Sequence, residues 1–139
     1  GVHDQLVACC PTPLQFGVAS YLGDPEHDTG LHHVKDDYIE KRDLPVGALT
    51  KAGFDTGPLP GGAYYVFADY SNVPALQGMS PTDAAVHMTS QVKVACVPGD
   101  NFYLTQDDKA SLGSKYLRFA FVRSIDVLQA AAHNLATKL

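Results

Sequence analysis

Arg118 is the residue whose setting most invites chemistry. It lies in Tyr116-Leu117-Arg118-Phe119-Ala120-Phe121-Val122. Strand alternation there puts Leu117, Phe119 and Phe121 on one face and Tyr116, Arg118, Ala120 and Val122 on the other. The strand offers the guanidinium no acidic partner. Its planar fork of donors matches a carboxylate or a phosphate in bidentate fashion. Anion binding is therefore a candidate role, beside that of a snorkelling or structurally paired arginine. Arg42, flanked by Lys41 and Asp43 on a charged helix, and Arg123, at a strand end, are expected to be solvated surface.

Other reactive side chains are less well placed. His27, His32 and His33, with Glu26 and Asp28 nearby, have the residue types of a metal centre but not its spacing. Neighbouring His32 and His33 would point about 100° apart on a helix, and His27 precedes Gly30 in a polar loop. No metal is expected there. His87 and His133 fall on predicted helices without an evident acid or nucleophile, so core-edge or surface roles are expected. Cys9 and Cys10 precede Pro11 at the entrance to a helix, where a thiolate could be stabilised, but no histidine base can be assigned to them. Lys115 sits in a polar loop and is given no covalent role. Neither a GxGxxG nor a Walker-type loop occurs, so no nucleotide site is proposed.

The elements that must position these residues follow from punctuation and periodicity. Thr12 and Pro13 start a helix over Leu14 to Leu22 that stops at Gly23. Apolar positions from Leu31 to Ala52 predict a longer amphipathic helix closed by Gly53, with a kink or break near Leu44 because Pro45 removes a donor and crowds the preceding turn. Thr56 to Gly62 is a loop on composition. Ala63 to Tyr70, aromatic and β-branched, is the clearest strand. Ser80-Pro81-Thr82-Asp83 opens a helix reaching about Gln91, with Ser80 as its cap. Val92 to Val97 and Tyr116 to Val122 read as two further strands. Asp100 to Ser114 reads as an exposed loop. Ser124 caps a last helix with Ile125, Leu128, Ala132, Leu135 and Leu139 in one apolar stripe. The fold class is α+β, a small and largely antiparallel sheet covered by helices.

Composition narrows the function classes. The chain has 139 residues, 45% hydrophobic and 18% charged, and no apolar run long enough to span a bilayer. Ten basic residues against fifteen acidic ones give a net charge of -5, without the basic stripe that nucleic acid requires. Neither a membrane nor nucleic acid is an expected partner. Cys9, Cys10 and Cys96 form no disulfide framework and no CxxC zinc pattern; free thiols suit a reducing compartment such as the cytosol, with a mitochondrial location as the alternative. Gly1-Val2-His3-Asp4 carries no initiator Met, basic n-region or apolar h-region and reads as the middle of a longer chain.

Several segments in order resemble the C-terminal portion of fold-type I, pyridoxal-phosphate-dependent aminotransferases of classes I and II. The likeness is to the branch containing kynurenine aminotransferases and cysteine-S-conjugate β-lyases. It is carried by Val2-His3-Asp4, Cys10-Pro11-Thr12-Pro13-Leu14-Gln15, Lys41-Arg42-Asp43-Leu44, Gly53-Phe54 and Gly61-Gly62-Ala63-Tyr64-Tyr65-Val66-Phe67-Ala68-Asp69. It continues through Val94 to Tyr103, Tyr116 to Phe121 and Leu128-Gln129-Ala130-Ala131.

The resemblance implies that residues 1–30 are the end of a large domain with its connecting segment, and residues 31–139 an aminotransferase small domain. It implies that Arg118 binds the α-carboxylate of an amino acid or 2-oxo acid substrate. It further implies a homodimer in which Ala8 and Cys9 help to wall the neighbouring active site, where relatives often carry an aromatic residue and a histidine. Pyridoxal phosphate is implied for the full-length enzyme, with its lysine, ring-stacking aromatic and phosphate cup all upstream of the position matching Gly1. The chain alone, without the large domain, is then expected to be inactive. A stand-alone, non-catalytic carboxylate-binding or interaction domain derived from an aminotransferase is the alternative.

Overall fold

The computed structural model describes residues 11–26 and 28–139, the side chains of residues 28–33 excepted. Helix α1 spans Thr12–Gly23. Its N-cap is Pro11, whose carbonyl accepts from the Leu14 and Gln15 amides, so Thr12 lies one residue inside the helix and makes no side-chain cap. No residue of α1 is buried; Leu14 is 68% and Phe16 73% exposed.

Helix α2, Asp28–Lys51, corrects the expected break, because it runs without interruption through Pro45. Proline deletes a single donor from the ladder, and the following turn is held by the burial of Val46 and Leu49. The helix stops where Gly53 takes φ +96° and the Phe54 amide reaches back to the Leu49 carbonyl at 3.1 Å. A Cβ on Gly53 would also lie 3.2 Å from the Asn72 carbonyl oxygen, so both conformation and space favour glycine. Two units are distinguished, Gly1–Asp37 and Tyr38–Leu139, with the boundary inside α2.

In the second unit, strands β1 (Tyr65–Asp69), β2 (Val97–Pro98) and β3 (Tyr116–Ala120) form an antiparallel sheet in the order β1-β3-β2. Helix α3, Pro81–His87, is capped as its sequence predicts: the Ser80 hydroxyl accepts from the Asp83 amide at 3.1 Å and donates to the Asp83 carboxylate at 2.7 Å.

Of the strand predicted over Val92 to Val97, only Val97 is in β2, beside Pro98. Val92 instead closes a π-helical turn, Met88–Val92, after which Lys93 takes φ +64° and the Val94 amide donates to the Met88 carbonyl. Burying Val92 and Val94 at a helix end satisfies the same apolar residues that suggested a strand.

The expected loop from Asp100 is a series of helical turns. They are a 3-10 turn at Gly99–Phe102, the short helix α4 at Gln106–Asp108 and a π turn at Lys109–Gly113. Close packing fixes them: a Cβ on Gly99 would lie 2.5 Å from the Tyr116 carbonyl oxygen, and one on Gly113 would lie 2.6 Å from the Asp100 Cα. Helix α5, Ile125–Lys138, buries Leu128 and Leu135, while Ser124 occupies its N-cap position without a side-chain hydrogen bond.

The architecture is α+β, a small antiparallel sheet with helices, as the sequence indicates. Its core gathers Leu49, Phe54, Val66, Ala68, Met88, Leu117 and Phe119, with Phe54 edge-on to Phe119 at 5.6 Å.

Candidate functional site

The sheet register builds the site. Pairing sets Phe67 opposite Arg118, Tyr65 opposite Ala120 and Asp69 opposite Tyr116, while Val97 flanks Arg118 from β2. Leu117 and Phe119 are buried on the core side, so the half-buried Arg118 shares the other face with Tyr65, Phe67, Asp69 and Tyr116. This is the alternation expected from the sequence.

The Arg118 Cζ lies 4.1 Å from the centre of the Tyr65 ring and 4.4 Å from that of Phe102. Phe102 in turn sets an edge against Phe67 at 5.8 Å, and Phe67 stacks on Tyr116 at 4.8 Å. A guanidinium over aromatic faces is stabilised by their quadrupoles while its in-plane N–H groups stay free to donate.

Electrostatics keep that fork uncommitted. The carboxylate on the same face, Asp69, is engaged elsewhere: Lys115 Nζ sits 3.1 Å away and the Ser71 amide donates to it at 2.8 Å. Burial raises the Asp69 pKa, but the bonds from Ser71 and the Lys115 charge outweigh it and leave the group below its ordinary value. The Lys115 ammonium is held above its ordinary value, first by its hydrogen bond to Asp69. Among the described residues, no carboxylate or carbonyl pairs with the Arg118 guanidinium.

The other arginines differ. Arg42, expected at the solvated surface, is half-buried and engaged: its guanidinium bonds Asp43 at 2.7 and 2.8 Å and donates to the Pro60 carbonyl at 3.0 Å. It ties the 56–62 loop to α2, a long-range contact that no local pattern announces. Arg123 is exposed, as expected.

Two clefts flank the sheet, the first on this face and the second beside the core-side residues Phe119, Leu128 and Leu135. One, of about 620 Å³, is lined by Asp55, Pro58, Tyr65, Phe67, Lys115 and Tyr116 among others. The second, of about 520 Å³, includes Arg118 with Val97, Ala120, Arg123 and Val127.

The remaining sequence candidates fall apart from this site. Ala8, Cys9, Cys10 and His27 lie outside the described residues, as do the side chains of His32 and His33. His87 is half-buried and His133 exposed. Cys96 is a free thiol that burial pushes up to about 12, so it stays protonated at neutral pH. Sequence reasoning missed Tyr65 and Phe102 as neighbours of Arg118. Alternation with Phe67 along β1 could have found Tyr65; nothing local marks Phe102.

No protein-family model matches the chain. Individual relatives do. The chain is 29% identical to a kynurenine–oxoglutarate transaminase of Dictyostelium discoideum over 147 aligned positions, covering 96% of this chain and 33% of that protein. It is 31% identical to the putative aminotransferase YugH of Bacillus subtilis, covering 94% of this chain and 30% of that protein. The solved methionine aminotransferase YbdL of Escherichia coli superposes with a TM-score of 0.70 at 30% identity, over 96% of this chain and 32% of that one. An aromatic aminotransferase of Pyrococcus horikoshii shares the fold with a TM-score of 0.73 at 23% identity, over 95% of this chain and 32% of that one. The chain spans about a third of the length of these relatives.

The described residues do not fit the cofactor that such enzymes imply. A Schiff-base lysine needs a desolvated amine with a lowered pKa, whereas no described lysine is buried and Lys115 is shifted the opposite way. No step through pyridoxal phosphate is derived for these residues. In sequence and in fold, this chain matches a C-terminal fragment of the aminotransferases.

Proposed function

We propose that the chain serves as the substrate-clamping part of a pyridoxal-phosphate-dependent aminotransferase, which moves an amino group between an amino acid and a 2-oxo acid. Arg118 receives the substrate α-carboxylate. One observation carries the reading: a half-buried arginine on the central strand of the sheet, with its guanidinium over two aromatic rings, has no described anionic partner. A substrate carboxylate supplies the missing pair. The bidentate bond fixes the substrate backbone in direction as well as in position, because both oxygens are engaged at once.

The cofactor, when bound, supplies the electron sink, and the groups that hold it belong to sequence outside this chain. In this reading the isolated chain is inactive. The working form is a homodimer, in which the segment with Ala8 and Cys9 walls the neighbouring active site.

Replacement of Arg118 by Ala in a full-length aminotransferase carrying this segment tests the reading. The variant loses about 1.5–3 kcal/mol of charge-assisted binding, roughly a 10- to 150-fold drop in kcat/KM for amino acid substrates. Unchanged kinetics would reject Arg118 as the carboxylate site. Saturable binding of 2-oxo acids by the isolated chain, measured calorimetrically, would instead favour a stand-alone binding domain.

A further inference from the structure

We propose that Phe102 and Tyr65 are positioning residues for Arg118, two aromatic rings from different elements that fix the direction of its guanidinium before any carboxylate arrives. The proposal rests on the reading of Arg118 as the carboxylate site and adds what holds that site in register.

The geometry has three parts. The guanidinium carbon lies 4.1 Å from one ring centre and 4.4 Å from the other, close enough for both faces to bear on the same cation. The rings come from separate places. Tyr65 begins β1, whereas Phe102 ends the 3-10 turn that directly follows β2, and β1 and β2 lie on opposite sides of β3 in the sheet. An arginine side chain has several rotatable bonds, so a fork without a hydrogen-bonded partner would ordinarily sample many directions and lose that entropy on binding. Ring contacts from two elements restrict it in advance without occupying a single N–H donor.

Phe102 is itself held. The residue is 45% exposed, yet its ring packs at right angles to Phe67, which stacks on Tyr116. The turn that carries it is seated by glycine contacts: no Cβ fits at Gly99 beside the Tyr116 carbonyl, or at Gly113 beside Asp100. The 99–113 segment therefore acts on the carboxylate site through Phe102, although none of its residues pairs with Arg118 by hydrogen bond or charge among the described contacts.

The test uses a signal that merely structural damage would not mimic. In the 139-residue chain, the Arg118 Nε–Hε resonance should be displaced upfield by both rings and show restricted motion in ¹⁵N relaxation. Phe102→Leu should remove roughly half of the displacement and increase the mobility, with the core resonances of Leu117 and Phe119 unmoved, and Phe102→Tyr should restore both. In the full-length enzyme, Phe102→Leu should raise KM for the amino acid several-fold with kcat changed less than twofold, and Phe102→Tyr should return KM to normal. An Arg118 signal identical in wild type and Phe102→Leu overturns the proposal. So does a KM that Phe102→Leu leaves unchanged while Arg118→Ala raises it, an outcome that keeps the Arg118 reading. Unchanged kinetics in Arg118→Ala itself would instead remove that reading, and the positioning role with it. Should Phe102→Leu lose the folded spectrum, Tyr65→Leu reads the same resonance from the other ring, with the same expected and overturning results.

Discussion

The two faces of the β1-β3-β2 sheet share strands, register and backbone, yet they are built for opposite purposes. On one face Val66, Ala68, Leu117 and Phe119 are buried against the helices. On the other, Tyr65, Phe67, Tyr116 and Arg118 are only partly covered, and their contacts are ring-to-ring and ring-to-cation. The buried face is stabilised by excluding water, which works for any well-packed apolar set. The open face retains a cation whose hydrogen bonds are unmade among the described residues, an arrangement that adds little to folding and leaves the donors available for a ligand. A strand with period two lets one sequence serve both, since neither face constrains the residue types of the other.

The largest effect should come from the buried face. Leu117 is fully buried at the centre of the sheet, and Leu117→Ala should cost about 2–5 kcal/mol, read as a lower urea midpoint with an unchanged m-value. Its neighbour in sequence makes the contrast. Arg118→Ala should cost only about 1 kcal/mol of stability, because the described contacts it loses are two ring faces rather than a packed core. A loss as large as that of Leu117→Ala would break the comparison and make Arg118 a structural residue.

The smallest effect concerns the ion pair on the open face. The Asp69 pKa is lowered in the folded state, so its stabilisation is present above the ordinary carboxylate value of about 4 and fades as pH falls through the lower folded value. The Lys115 pKa is raised, so its contribution is complete below about 10 and fades as pH rises through the higher folded value. Thermal melts of Asp69→Asn and wild type should differ slightly near neutral pH and converge in acid. A gap that persists at low pH would mean that Asp69 acts by packing or by neutral hydrogen bonds instead of charge.

The parts of the fold that were legible in the sequence are those specified locally. The Ser80 cap forms as predicted because the hydroxyl, the Asp83 amide and the Asp83 carboxylate lie within one helical turn. The α5 stripe and the β3 alternation were equally plain, each a regular period of apolar residues. The structure departs from the local pattern where non-local packing overrides a local rule. Pro45 disfavours a helix, but burial of Val46 and Leu49 carries α2 through it. Val92 to Val97 has strand composition, but the core takes Val92 from a π turn. Asp100 to Ser114 is polar enough for a loop, yet close glycine packing winds it into turns.

By itself the sequence determined that Arg118 would stand on the open face of a strand, since side-chain direction along a strand depends only on the count of residues. It also carried enough ordered likeness to point to the aminotransferases. Only the tertiary structure decided who stands around that arginine. Tyr65 and Phe102 lie 53 and 16 positions before it in the chain, and Asp69 is drawn to Lys115 instead. Those neighbours are set by strand order and by the seating of a turn, which depend on the packing of the whole unit and on no pattern within any one segment.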